Sequence, residues 1–313
     1  MNSTPSRKID FRKQRDFSAI FSDAFKYFKF NFKHLILSVL LLAGPLLIIA
    51  GGLNGYLQSI GSNPSALIGV NSLKNPMSAL NDIISVMLPF LFFAMLGAIV
   101  YSAVVSRFLI LSQQKSEGEE ITIAELLRHL PKDTWRLFYN YLLLGLVASL
   151  FALVIVVIAF IPVLGIILII VGLILAGPNI SYAVSNASYL VLRDEISILA
   201  AFSKTMNYMR GNWWATWAIV FCSMMIVGVA SLIFTLPQAV YSIITTFSRM
   251  KTETYTDETT SLWFIVFAII AMLGQHLLSP LMNIFYTLTY HSHEEAEEGT
   301  GLKSKIEEIG SDN

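Results

Sequence analysis

The chain has 313 residues, of which 55% are hydrophobic and 13% charged, and its formal net charge at pH 7 is zero. This composition excludes an ordinary soluble domain and gives no basis for nucleic-acid binding, which favours a strongly basic protein. Many apolar runs reach about 20 residues, the length at which a helix crosses the hydrocarbon core of a bilayer. The sequence therefore predicts an all-α polytopic membrane protein in contact with a lipid bilayer.

The first predicted element is an amphipathic helix ahead of the first membrane span. Apolar residues recur there at intervals of three and four, opposite a face of polar and basic residues, as in a helix that lies in the membrane interface. The apolar face comprises Phe17, Ile20, Phe21, Ala24, Phe25, Phe28 and Phe32. A second such helix, with Leu199, Phe202, Met206, Met209 and Trp213 on its apolar face, precedes the fifth span. The basic residues of these elbow helices favour contact with anionic lipids.

Six spans are predicted from long stretches without Asp, Glu, Lys or Arg, because a charge at mid-membrane costs about 2.5–3.5 kcal/mol. They cover residues 35–55, 84–111, 137–160, 162–192, 213–247 and 262–290. The loops at 54–81 and 248–261 are predicted to be external turns. The segment 294–313 is acidic and contains Gly, which predicts a disordered tail.

Basic residues predict the orientation of the spans. Eighteen of the 21 Lys and Arg residues fall in the amino-terminal segment, in the second and fourth loops and in the tail. The opposite side has only Lys74, Arg249 and Lys251. Because basic loops are retained in the cytoplasm, both termini are predicted to be cytoplasmic.

Internal similarity predicts a triplicated unit within a single membrane domain at 1–293. Each unit consists of an interfacial helix followed by a hairpin of two spans, at 11–115, 119–195 and 196–293. Under a shift of 181 positions, Tyr27 matches Tyr208 and Asn31 matches Asn212. The second and fourth spans both end in an aromatic residue followed by an apolar run at the same internal spacing.

A family resemblance rests on three short segments around the fourth loop, namely Ala187–Glu195, Ala200–Lys204 and Arg210–Trp214. In these segments the chain resembles the membrane domain attached to some glycerophosphoryl diester phosphodiesterases and related uncharacterised bacterial multi-span proteins. The resemblance implies a bacterial inner-membrane location. It does not imply the phosphodiesterase reaction, which belongs to a separate soluble barrel for which this chain has no room.

Polar residues within the predicted spans are the candidate site. They either line a cavity or form hydrogen bonds between helices, each worth about 0.6 kcal/mol. These residues are Asn179, Asn186, Gln238, Gln275, His276 and Asn283. His276 is the only histidine inside a predicted span, and without a charged partner it is better interpreted as a packed side chain than as a proton relay.

Five of the six spans also contain a proline. These are Pro45, Pro89, Pro178, Pro237 and Pro280. They could mark broken helices that line a substrate path, as in transporters. The favoured interpretation is simpler, because neighbouring helices can satisfy the carbonyl groups that a proline frees.

The sequence contains no motif for catalysis, a metal or a cofactor. There is no P-loop, no His-Glu-x-x-His and no Gly-x-Ser-x-Gly. His291, His293 and the two glutamates that follow offer metal-binding atoms, but adjacent positions on a helix do not converge on one ion. The lone Cys222 lies within the fifth span and excludes an intrachain disulfide. No catalytic, metal or cofactor residue is predicted.

Two hypotheses for function follow. The first is a non-catalytic scaffold or partner subunit for another membrane protein of the bacterial envelope. The alternative is a transporter or lipid-handling carrier with a cavity between the repeats, which convergence of the deep polar residues would favour. A membrane-embedded enzyme is the least favoured, because it needs acid, His or Lys groups clustered at a cytoplasmic mouth.

Overall fold

The structure, a computed structural model, describes residues 9–61, 76–115, 119–159, 161, 164–252 and 258–299. These residues contain α-helices and no strands. The helices are α1 (Phe17–Leu42), α2 (Gly44–Gly61), α3 (Pro76–Gln114), α4 (Ile123–Ala159), α5 (Leu164–Arg193), α6 (Ile198–Met209), α7 (Trp213–Thr252) and α8 (Glu258–Glu298). Much of the two predicted external loops, and the tail from residue 300, lie outside the described residues.

The described helices confirm the all-α polytopic membrane fold. Five of them are long and apolar enough to cross a membrane, and α1 with α2 forms a sixth candidate as a bent pair. The predicted prolines lie inside continuous helices, apart from Pro45. The protein is a membrane protein in contact with lipid.

The first span departs from the prediction. No break separates an elbow helix from a span near residue 34, and α1 instead continues to Leu42, where the chain bends by 62° into α2. Pro45 stands at the second position of α2. A proline is tolerated in a first helical turn, but it has no N–H to donate to the preceding turn. The predicted span 35–55 is therefore two helices.

The other two elbow regions differ from each other. α4 passes through Pro131 without a break, so the predicted third elbow and span are one helix. α6 is joined to α7 by a 3-10 turn at Arg210–Asn212, and Ile198–Ser248 together form one candidate span, so no sharp bend separates the predicted second elbow from its span. The Ser197 side chain accepts a hydrogen bond from the Ala200 N–H, and Asn140 Oδ1 accepts one from the Ile198 N–H at 2.8 Å. These side chains satisfy N–H groups that a helix start leaves without partners.

The predicted tail begins later than expected. α8 continues to Glu298, so residues 294–298 are helical and not disordered. The reason is local, because Glu294 forms an ion pair with Arg193 and therefore holds this turn in place. The disorder predicted for the rest of the tail concerns residues outside the described part of the chain.

The described residues fall into two compact units. The first unit lies within residues 1–35, 102–226 and 280–313. Its core is rich in fully buried aromatic side chains, among them Tyr182, Tyr189 and Phe285. The second unit lies within 36–101 and 227–279, and its buried side chains include Leu47 and Phe264.

Close helix packing characterises the second unit. A Cβ placed on Gly55 of α2 would lie 2.5 Å from Ile265 Cα and from the Phe264 carbonyl oxygen of α8. A Cβ on Gly51, one turn earlier, would lie 2.9 Å from Ile269 Cα. Small residues at four-residue spacing let membrane helices approach until their backbones touch. The two glycines therefore set the contact between α2 and α8.

The hairpin of α4 and α5, in the first unit, carries the most exposed apolar surface. None of the most apolar 18-residue window of α4 is buried, and Leu146, Leu150 and Phe151 are each at least 65% exposed. Lipid tails are as apolar as Leu, so such side chains carry no cost in a bilayer. The three predicted repeat units differ in where their helices break, and the repeat stays a prediction.

Candidate functional site

Two helices of the first unit each present a polar and aromatic face at helical spacing. On α5 the intervals alternate between three and four residues, which places the side chains on one face over about 21 Å of helix. These α5 residues are Asn179, Tyr182, Asn186, Tyr189 and Arg193. The corresponding α8 residues are Asn283, Tyr286, Tyr290 and Glu294. These two faces pack against each other, and we call the residues of both faces the polar seam.

The deep part of the polar seam brings together residues predicted separately. Ser185 Oγ donates a hydrogen bond to Asn283 Oδ1 at 2.6 Å. Asn186 Nδ2 donates to the Tyr286 carbonyl oxygen at 3.3 Å and to the Tyr182 carbonyl oxygen of its own helix at 3.1 Å. The amides of Asn186 and Asn283 therefore join α5 to α8 through the membrane region.

Several polar atoms at the deep end have no hydrogen-bond partner among the described residues. They are both polar atoms of Asn179, the Tyr182 hydroxyl and Asn186 Oδ1. The three residues are at most 1% exposed. A buried polar group without a partner costs about 1–3 kcal/mol. The deep end therefore presents unpartnered donors and acceptors that a polar ligand group or water could satisfy.

The other end of the polar seam is an ion cluster around Arg193. Its Nη2 lies 2.7 Å from Glu294 Oε1, and its Nη1 donates to Glu294 Oε2 at 3.1 Å. Its Nε donates to Asp194 Oδ1 at 2.6 Å. The guanidinium carbon also lies 5.5 Å from the ring centroids of both Tyr189 and Tyr290, within cation–π distance. Arg193 thus fixes the ends of α5 and α8 to each other.

Lys204 brings α6 into the same cluster. Its Nζ lies 3.0 Å from Asp194 Oδ2 and 3.8 Å from Glu294 Oε1. Burial acts to raise the pKa of Asp194, but hydrogen bonds and charge from Arg193 and Lys204 outweigh it and leave the pKa below its ordinary value. The carboxylate is therefore ionised at neutral pH and links the end of α5 to α6.

A directed hydrogen-bond chain runs beside the ion pair. Gln113 Nε2 donates to the Tyr189 hydroxyl at 2.7 Å, and that hydroxyl lies 3.0 Å from His291 Nε2. His291 Nδ1 lies 2.9 Å from Glu294 Oε2. An ionised carboxylate only accepts, so Nδ1 carries a proton. The chain therefore engages both ring nitrogens of His291.

An amino-terminal strap, residues 9–15, covers this chain. The Arg15 N–H donates to Ser292 Oγ at 2.8 Å, and Ser292 Oγ donates back to the Arg15 carbonyl oxygen at 3.1 Å. Phe11 is 4% exposed, and its ring centroid lies 5.5 Å from that of His291. The strap therefore shields the His291 ring from solvent.

The remaining predicted polar residues lie in the second unit and do not form a seam. Gln238 Nε2 donates to Gln58 Oε1 at 2.8 Å, which links α7 to α2. His276 Nδ1 lies 2.8 Å from the Met272 carbonyl oxygen of its own helix, and the His276 ring packs against Tyr101 at 5.2 Å. The Gln275 side chain is exposed. The structure thus separates the six candidates into two groups with different surroundings.

Sequence reasoning missed the charged end of the polar seam. The basic bias explains Arg193 as a topology residue, and the acidic composition of 294–313 groups Glu294 with the tail, so neither points to a site. The alternating spacing of three and four residues on α5 indicates a polar face of that helix. It points to a site only once α8 is known to pack against this face. No three metal-binding side chains of His, Cys, Asp or Glu converge within the described ranges.

Comparison with models of known protein families, with curated proteins and with solved structures gives no match. The resemblance to the membrane domain of some glycerophosphoryl diester phosphodiesterases therefore stays a prediction.

Proposed function

We propose that this protein is a non-catalytic membrane carrier that handles lipid, and that the polar seam receives polar groups of the lipid as they leave the membrane surface. The observation that carries this proposal is the deep end of the seam, where Asn179, Tyr182 and Asn186 are buried with unpartnered polar atoms. Convergence of deep polar residues distinguishes a carrier from a simple scaffold.

Energetics supports a functional reason for these residues. Apolar side chains of similar size would remove the cost of the unpartnered atoms, so the present sequence is less stable than it could be. Proteins commonly retain such costs where activity needs them. Acid, His and Lys groups do cluster at the charged end, but the His291 ring is 4% exposed and packed against Phe11, and this closure to a substrate supports a non-catalytic role.

The proposal includes an orientation in the bacterial inner membrane. In the proposed orientation, which the basic bias of the loops favours, the Arg193 end of the polar seam lies at the cytoplasmic leaflet and both termini are in the cytoplasm. Asn179, about 21 Å further along α5, then lies deep in the hydrocarbon core. A lipid headgroup would enter at the charged end and meet the unpartnered amides further in.

A lipid-movement assay tests this function. The purified full chain is reconstituted into phosphatidylcholine vesicles that contain a fluorescent phospholipid, and the fraction reached by an external quencher is followed over time. We expect wild type to speed transbilayer movement above that in protein-free vesicles. Asn179→Leu combined with Asn186→Leu is expected to abolish the gain, since it removes the deep polar atoms.

Gln275→Leu is the matched control, because it makes the same kind of change at an exposed amide of α8 outside the polar seam. It is expected to retain wild-type movement. The proposal is overturned if wild type moves lipid no faster than empty vesicles, or if all variants act alike.

The scaffold hypothesis is tested by gentle purification followed by mass spectrometry. A stoichiometric protein partner, without enrichment of any lipid over the bulk membrane, would replace lipid handling by a scaffold or partner-subunit role. Enrichment of one lipid class would support the carrier.

A further inference from the structure

A cavity at the charged end of the polar seam lies beside the amino-terminal strap. Its volume is about 350 Å³, and the strap forms one wall. Ile110, Gln113 and Gln114 of α3 and Arg193 of α5 complete the lining. We infer that this cavity binds the phosphate-bearing headgroup of an anionic membrane lipid. The inference rests on the proposed lipid-handling function and names the class of lipid.

The polar lining favours an anion. Arg12 contributes a guanidinium group and Gln113 and Gln114 contribute amide groups, whereas the Arg193 guanidinium in the wall is already paired with Glu294 and Asp194. The one acidic residue of the lining is Asp10, and its Oδ1 accepts a hydrogen bond from the Arg12 N–H at 3.0 Å. Guanidinium groups match the planar geometry of phosphate oxygens better than ammonium groups do.

The apolar lining favours a lipid over a free ion. Ile9, Phe11 and Ile110 form the rest of the wall, and Phe11 and Ile110 are at most 4% exposed. A hydrated phosphate ion gains nothing from these side chains, whereas the glycerol and first methylene groups of a lipid do. The volume lies at the low end for ligand sites, so it suits a headgroup and not whole acyl chains.

The cavity also adjoins the polar seam through shared residues. Gln113 donates to Tyr189 of the seam, and Arg193 is the last seam residue. A headgroup in the cavity would therefore contact Gln113, the first residue of the hydrogen-bond chain that reaches Glu294. This position suits a loading site that a lipid occupies before its polar groups enter the seam.

Native mass spectrometry of the detergent-purified full chain tests the inference. The chain is titrated with phosphatidylglycerol, with phosphatidylcholine as the zwitterionic comparison and inorganic phosphate as the free-ion competitor. We expect wild type to bind phosphatidylglycerol more tightly than phosphatidylcholine, with little competition from inorganic phosphate. Strong competition by inorganic phosphate would mean that the cavity binds the free ion, and it would overturn the inference of a lipid headgroup.

Arg12→Gln removes one guanidinium from the cavity without touching the Arg193 ion cluster. We expect it to weaken phosphatidylglycerol binding about tenfold, the effect of losing one charge-assisted hydrogen bond. Arg128→Gln is the matched control, since it removes one exposed guanidinium on α4 outside the cavity. Equal losses in both variants would mean nonspecific attraction and would overturn the site.

The two proposals fail in different ways. Loss of phosphatidylglycerol preference with lipid movement intact in wild type would reject the cavity and leave the carrier in place. A different result would reject the carrier and keep the headgroup site. In that case wild type would not move lipid, but Arg12→Gln would bind phosphatidylglycerol about tenfold more weakly while the control variant would not.

Discussion

At the residue scale, replacing two of the three asparagines of the polar seam is expected to change stability in opposite directions. Asn179→Leu removes two buried atoms that have no partner among the described residues, so the free energy of unfolding is expected to rise by about 1–2 kcal/mol. Asn283→Leu removes the acceptor for Ser185 and is expected to lower it by about 1 kcal/mol. Thermal unfolding in detergent, followed by tryptophan fluorescence, measures both. A stability loss in Asn179→Leu would contradict the unpartnered state of that amide.

Glu294 offers a second test at this scale. Glu294→Gln leaves Arg193 with Asp194 as its one ionic partner in the described part of the chain and removes the carboxylate that accepts from His291. Breaking a buried ion pair costs about 3–5 kcal/mol. Arg193 and Glu294 retain 20% and 15% exposure, so about 2 kcal/mol is expected. Glu195→Gln, at a 64% exposed carboxylate, is the control and should change the unfolding midpoint less.

Asp194 makes the stability depend on pH. Its folded-state pKa lies below the ordinary value, so its contribution is complete above about pH 4 and is lost as the pH falls through the folded-state pKa. We expect the unfolding midpoint of wild type to fall on acidification below about pH 4. Asp194→Asn should show a shallower fall over the same range. Parallel pH profiles for the two proteins would contradict this role.

At the scale of helices, the contact between α2 and α8 depends on glycine. Gly55→Ala places a methyl group against the α8 backbone, which cannot move aside as a side chain can. Overpacking of this kind costs about 1–3 kcal/mol. At Gly145→Ala on α4 the methyl group meets nothing within 4 Å, so unchanged or slightly higher stability is expected. The thermal unfolding midpoints of the two variants compare them directly.

Helix boundaries also show where periodicity is informative and where it is not. The polar–apolar pattern of residues 17–33 predicted a helix, and that helix exists, but the pattern does not mark its end. The bend lies instead before Pro45, where a hydrogen-bond donor is missing. A change from amphipathic to wholly apolar sequence alters the surroundings of a helix and leaves its backbone hydrogen bonds intact.

At the scale of the whole molecule, the orientation is open to a direct test. In a Cys222→Ser background, Lys26→Cys and Lys132→Cys are labelled with a membrane-impermeant thiol reagent in intact and in opened cells. Both positions belong to the predicted cytoplasmic side, so both are expected to react only after opening. Labelling of one in intact cells would contradict the six-span arrangement.

The sequence by itself determined the class of protein and most of its spans. Charged residues are costly in hydrocarbon, so the spans are visible as stretches of sequence without them. It also marked Asn179, Asn186 and Asn283 as unusual. Only the tertiary structure decided that these lie in one seam with Arg193 and Glu294, beside His291, while Gln238, Gln275 and His276 lie elsewhere. Partners such as Arg193 and Glu294 stand 101 positions apart, and no helical period relates positions on different helices.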